Sequence, residues 1–166
     1  ESSLFFFRFG IFAYAVKETI LNNPDYIKKF YYFLTAITLF VIIDGYNQYF
    51  FGQNIFGYSY EGLRLTLFDD TKFIGHYIAR LLPIIIAIAI SYFLNSKISL
   101  FLISLLFISA DVLIFLSGER TSFFILSLFT LIILVLISKW KIVRLITIII
   151  SAIVIIFVVS SDSIVK

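Results

Sequence analysis

Long apolar runs separated by short polar breaks make up most of the chain. A helix needs about 20 largely apolar residues to cross a bilayer. Six runs approach that length: Leu4 to Leu21, Phe30 to about Tyr49, Phe73 to Leu94, Ile98 to Leu116, Thr121 to Ser138 and Leu145 to Ser161. They are continuous rather than alternating, which predicts α-helices and not the strands of a membrane barrel. The expected fold is all-α: a single polytopic integral membrane domain over residues 1–166, with about six transmembrane helices. A partly ordered outer loop, about 44–72, joins the second and third. Short segments parallel to the membrane are expected within 49–70.

Composition supports this reading. Hydrophobic residues make up 61% of the chain and charged residues 14%, against roughly 25% charged in a soluble domain. A soluble core of this size cannot bury so much apolar surface, so the surrounding solvent is lipid. The chain has no cysteine and one histidine, so neither a thiolate site nor a histidine-based zinc site is expected. The net charge of +3 gives no reason to expect nucleic-acid binding. No cofactor or metal is expected. With no methionine, the chain reads as an internal piece of a longer membrane protein.

Lys and Arg set the orientation. One set of connections holds Lys17, Lys28, Lys29, Lys97, Lys139, Lys141 and Arg144, and the opposite set holds Arg64, Lys72, Arg120 and Lys166. The richer set is expected to be cytoplasmic, with the Trp140 indole at that interface. Most acids, including Asp44, Glu61, Asp69, Asp70 and Glu119, fall on the other side. The loop beginning at Asp44 and the Ser117–Arg120 turn therefore face outward.

The polar residues near that outer face carry the candidate chemistry. Between Gly45 and Gly62 the loop interleaves Tyr46, Tyr49, Tyr58 and Tyr60 with Asn47, Gln48, Gln53 and Asn54. Rings and amides in a bendable loop suit either the lipid headgroup level or sugar binding, by stacking and hydrogen bonding. Tyr46 and Gln48 are the candidates for the second role. Lys72, His76 and Arg80 are spaced i, i+4, i+8 and share one helix face, forming a basic stripe that descends into the membrane. Asp111, roughly 9 Å deeper than Ser117 along a helix, is expected to neutralise Arg80 or Arg120. Arg64 and Arg120 emerge on the same membrane face. With Arg80 beneath them they suggest an anion site, because guanidinium groups bind phosphate oxygens bidentately and keep their charge.

An ordered series of short motifs then resembles the O-antigen ligase and polymerase family. It runs through Ile43-Asp44-Gly45-Tyr46-Asn47-Gln48-Tyr49-Phe50-Phe51-Gly52, Phe56-Gly57-Tyr58, Gly62-Leu63-Arg64-Leu65-Thr66, Gly75-His76-Tyr77-Ile78-Ala79-Arg80 and Ser117-Gly118-Glu119-Arg120-Thr121. Leu67 stands where that family often has glycine, and His76 where a small residue is expected. The family's functional histidine lies in a periplasmic region that would begin where this chain ends.

The resemblance implies a metal-independent glycosyltransferase of the bacterial inner membrane, active at the periplasmic face in lipopolysaccharide or polysaccharide biosynthesis. The donor would be a glycan on undecaprenyl diphosphate. The acceptor would be a lipid A core sugar or a growing polysaccharide. By motif match, Arg64 and Arg120 would be catalytic, stabilising charge on the departing diphosphate. Arg80, Lys72, Tyr46 and Gln48 would contact substrate. No residue is assigned as general base. Two other readings are a transporter or flippase, with Arg80 and Asp111 marking a substrate path, and a non-enzymatic membrane scaffold.

Overall fold

A computed structural model describes residues 14, 17–18, 24–60, 64–67, 73–92 and 97–165. Its elements are helices α1 (Pro24–Phe51), α2 (Ile74–Tyr92), α3 (Lys97–Leu116), α4 (Arg120–Leu136) and α5 (Lys141–Val165). A single 3-10 turn, Ser138–Trp140, joins the last two. The all-helical expectation holds among the described residues. Helices α1, α2, α3 and α5 are long and apolar enough to cross a membrane. α4 is apolar but shorter, at 17 residues. The expected first span, 4–21, lies outside the described residues apart from Tyr14, Lys17 and Glu18.

Local chemistry explains several boundaries. α1 opens with Pro24, whose missing N–H matters least in a first helical turn, and with Asp25 facing the positive end of the helix dipole. α2 runs through Pro83 without ending, as helices in an apolar surround do when neighbours support the freed carbonyl. α3 stops at Gly118, whose φ of 68° is the left-handed geometry that closes many helices. The chain then turns sharply and resumes as α4 at Arg120.

α3 lies at the centre of the bundle, against α1, α2, α4 and α5, while α2 packs against α1, α3 and α4. Ile74, Ile78, Leu82, Ile85 and Ile86 of α2 meet Phe107, Leu113 and Ile114 of α3 in one core. Small residues such as Gly45, Gly75, Ala79 and Ala110 let the helices approach closely. α5 reverses the pattern of a water-soluble helix. Ile142, Leu145, Ile149, Ile153 and Phe157 are exposed, while Arg144, Thr147 and Ser151 are buried. An apolar exterior around a polar seam is the arrangement that lipid favours.

Four expectations change. Gly45 to Phe51 belongs to α1 rather than to the loop, because the helix keeps its backbone bonds until Gly52 turns at φ 80°. Trp140 is 1% exposed and packs into the core, not on the surface. Arg144 is not in a connection: it lies inside α5, 2% exposed. Its Nη1 and Nη2 donate to Asp111 Oδ2 and Oδ1 at 2.7 and 2.9 Å. Asp111 is therefore paired with Arg144, and not with Arg80 or Arg120. Thr130 Oγ1 accepts from Arg144 Nε and Nη2, and Ser151 Oγ donates to Asp111. Arg144 also lies over the Phe107 ring, 4.4 Å from its centroid.

Candidate functional site

The C-terminal ends of α1 and α3 and the N-terminal ends of α2 and α4 gather at one end of the bundle, where most of the singled-out polar residues sit. The segment after α1 folds as a small hairpin. Asn54 N and Tyr60 N donate to Tyr58 O and Gly52 O, and Gly57 turns at φ 86°. Three amide or acid side chains hold this hairpin down. Asp44 Oδ1 accepts from Ile55 N at 2.7 Å. Gln48 Nε2 donates to Tyr58 O and to Thr66 Oγ1, while Gln48 Oε1 accepts from Thr66 N. Asn54 Nδ2 donates to Leu67 O, and its Oδ1 accepts from Phe56 N and Tyr58 N.

These bonds locate two of the sequence candidates. Gln48 is fully buried, with both polar atoms taken by the protein. Tyr46 donates its hydroxyl to Ser109 O on α3 at 2.9 Å. The side chains picked out for sugar binding thus hold the loop and helices together. Lys72 lies outside the described residues. Arg64, Arg80 and Arg120 are all exposed. Arg80 falls on a stripe of exposed α2 residues with Tyr77 and Ile84.

The most tightly built cluster centres on Glu119, which the sequence marked as one of the acids on the outer side. By position Glu119 is the N-cap of α4, yet its side chain makes no capping bond there. It reaches instead to the first turn of α2, where Oε1 accepts from Gly75 N at 2.8 Å. Its Oε2 lies 2.6 Å from His76 Nδ1 and accepts from Ser122 Oγ at 2.7 Å. Ser122 Oγ is also 2.8 Å from His76 Nδ1. Glycine at 75 is required by this approach. A Cβ there would sit 2.9 Å from Ser117 Oγ and 3.1 Å from the Glu119 carboxyl carbon.

Arg120 opens α4 and lines a cleft of about 270 Å³ with Glu119, Ile114, Phe115, Gly118 and Phe123. Phe115 and Phe123 also line a larger cleft of about 570 Å³ between α3, α4 and α5. Its walls are mainly apolar, including Leu126, Leu131, Ile148, Ile155 and Ile156, with the Asp111–Arg144 pair among them. The two clefts share Phe115 and Phe123, so a mouth lined by Glu119 and Arg120 leads onto an apolar body. Among the described residues, no group of three or more acidic, histidine or cysteine side chains could hold a metal ion.

Comparison with protein-family models, with curated proteins and with solved structures returns no match. The geometry of this end of the bundle is therefore the basis for any functional reading.

Proposed function

We propose that the chain acts in glycosyl transfer from a lipid-linked diphosphate, as an O-antigen ligase-like or polymerase-like enzyme of the bacterial inner membrane. The glycan would pass from undecaprenyl diphosphate to a lipid A core or a growing polysaccharide at the periplasmic face. The observation that carries this reading is Arg120 at the mouth of the adjoining clefts.

Arg120 occupies the first turn of a 17-residue helix, the positive end of the helix dipole, where a cation is disfavoured by about 0.3–1 kcal/mol. The acid beside it does not relieve this within α4, because Glu119 turns its side chain to α2. The Arg120 guanidinium lines the smaller cleft beside Glu119, whose carboxylate is taken by Gly75 N and Ser122 Oγ, and a guanidinium so placed suits an anion. The apolar cleft that continues from the mouth suits a hydrocarbon chain. A polyprenyl diphosphate combines both chemistries. As the anomeric C–O bond breaks, negative charge grows on the diphosphate, and a fixed cation stabilises it. Arg64 joins Arg120 in this role through the motif resemblance.

Of the two residues behind the transporter reading, Arg80 is exposed and Asp111 has both carboxylate oxygens held by Arg144. The test is Arg120→Ala and Arg64→Ala in the full chain. Each variant is expected to insert normally and to lower transfer on the order of 10²–10³-fold, as when one such stabilising group is removed. Undiminished surface polysaccharide in both variants rejects the reading.

A further inference from the structure

The hairpin after α1 does not stand beyond the helix end but folds back along it. Gly52 closes α1 with its N–H on Gln48 O. Three residues later, Ile55 N donates to Asp44 Oδ1. Asp44 lies seven residues (51 minus 44) before the last residue of α1, about 10 Å down the helix axis. The Phe56 ring then meets the Phe40 ring edge-on, with centroids 6.4 Å apart. Phe40 lies eleven residues (51 minus 40) before the end, about 16 Å down the axis. The 28 residues of α1 make about 42 Å of helix, against about 30 Å of hydrocarbon in a bilayer. A return of this length therefore reaches the hydrocarbon from the helix end.

Non-helical backbone at that depth is costly unless the protein itself supplies acceptors for its N–H groups. Here it does. From 54 to 58 every backbone N–H donates within the protein: Asn54 N to Tyr58 O, Ile55 N to Asp44 Oδ1, Phe56 N and Tyr58 N to Asn54 Oδ1, and Gly57 N to Asn54 O. The two side chains that do this holding, Asp44 and Asn54, are buried. At the tip, Ile55 and Phe56 are exposed, and so are Phe40 and Ile43 on the adjoining face of α1. The exposed polar side chains, Gln53 and Ser59, pair instead across the bridge at the base, toward the helix end. No charged residue occurs from 45 to 60. A loop built for water has its polar residues at the tip; this one has them at the base.

We propose that residues 53–59 form a re-entrant hairpin whose tip, Ile55 and Phe56, is embedded among the lipid acyl chains of the leaflet at that end of the bundle. The lipid-facing surface of α1 continues onto the tip through the Phe40–Phe56 contact. Lipid is the fitting occupant because the patch is uncharged and continuous with a spanning face. Two side chains also fall far short of the roughly 1,000 Å² that a stable protein interface buries. The hairpin thereby fixes the depth at which α1 leaves the membrane. The proposal is independent of the glycosyl-transfer reading.

The chain has no cysteine, so a single spin label can be placed at any position. Ile55→Cys and Ser59→Cys in the full chain each receive a nitroxide and are reconstituted in phosphatidylethanolamine–phosphatidylglycerol vesicles. Ile149→Cys, on the exposed face of α5, is the lipid reference. Oxygen concentrates in hydrocarbon, and a nickel chelate stays in water. The label at 55 is expected to collide several-fold more with oxygen than with the chelate, as at 149, and the label at 59 to show the opposite order. Chelate collisions dominating at 55 would make the hairpin a water-exposed loop and overturn the proposal. Few collisions with either probe would mean that another protein surface covers the tip, which overturns it equally. If the labelled chains fail to insert, hydroxyl-radical footprinting of the unsubstituted chain in the same vesicles decides. Phe56 is expected to be modified as slowly as Phe33, an exposed ring further down α1; modification several-fold faster sinks the proposal.

Discussion

Gly75 shows how much one missing side chain can position. Glu119 can bond to the α2 backbone only because nothing projects from residue 75. The atoms that a Cβ would meet, Ser117 Oγ and the Glu119 carboxyl group, are themselves held by hydrogen bonds. Gly75→Ala is therefore expected to destabilise the detergent-solubilised protein by about 1–3 kcal/mol, read as a lower midpoint of thermal unfolding. At Gly45 a Cβ would meet the methyl ends of Ile74 and Leu113 at 2.8 Å. Those ends can rotate aside, so Gly45→Ala should shift the midpoint less. A larger shift at Gly45 would mean that the Glu119 contact is looser than its distances imply.

At the scale of elements, the segment after α1 behaves as a latch. Gln48 binds the hairpin through Tyr58 and the 64–67 segment through Thr66. Gln48→Leu strands the buried Thr66 N–H, which costs about 1–3 kcal/mol, while Tyr58 O keeps Asn54 N as its donor. The expected outcome is faster proteolytic cleavage between residues 52 and 67, with the helices uncut. Unchanged cleavage would show that Asp44 and Asn54 hold the segment without Gln48. The helices themselves were largely legible in the sequence, since apolar run length alone marks a span; observed boundaries fall within a few residues for α2, α3 and α4. The loop's bonding was not legible. Tyr46 and Gln48 have the composition of a sugar-binding surface, and only the approach of 58, 66 and 109 shows that their polar atoms are taken. The His76–Glu119 contact was not legible either: the two lie 43 residues apart, and no local pattern links them.

At the scale of the whole molecule, the Asp111–Arg144 pair ties α3 to α5 inside the bundle. Arg144 read as part of a basic connection because Lys139 and Lys141 precede it, and the acid that explains it is 33 residues upstream. Arg144→Ala leaves a carboxylate buried without a cation, and is expected to destabilise the protein by about 3–5 kcal/mol. Replacing both residues with leucine should recover most of that loss, measured as the fraction folded after detergent extraction. If the double variant is no better than the single one, the pair contributes more than mutual neutralisation.

The same pair also sets an order of events during synthesis. α3 is made first, and Asp111 must wait in or beside the bilayer until Arg144 has been translated 33 residues later. An ionisable residue held alone in a span costs about 2.5–3.5 kcal/mol to insert. The nascent bundle is therefore least secure in the interval before α5 arrives, and the last described helix acts as the closing step of assembly.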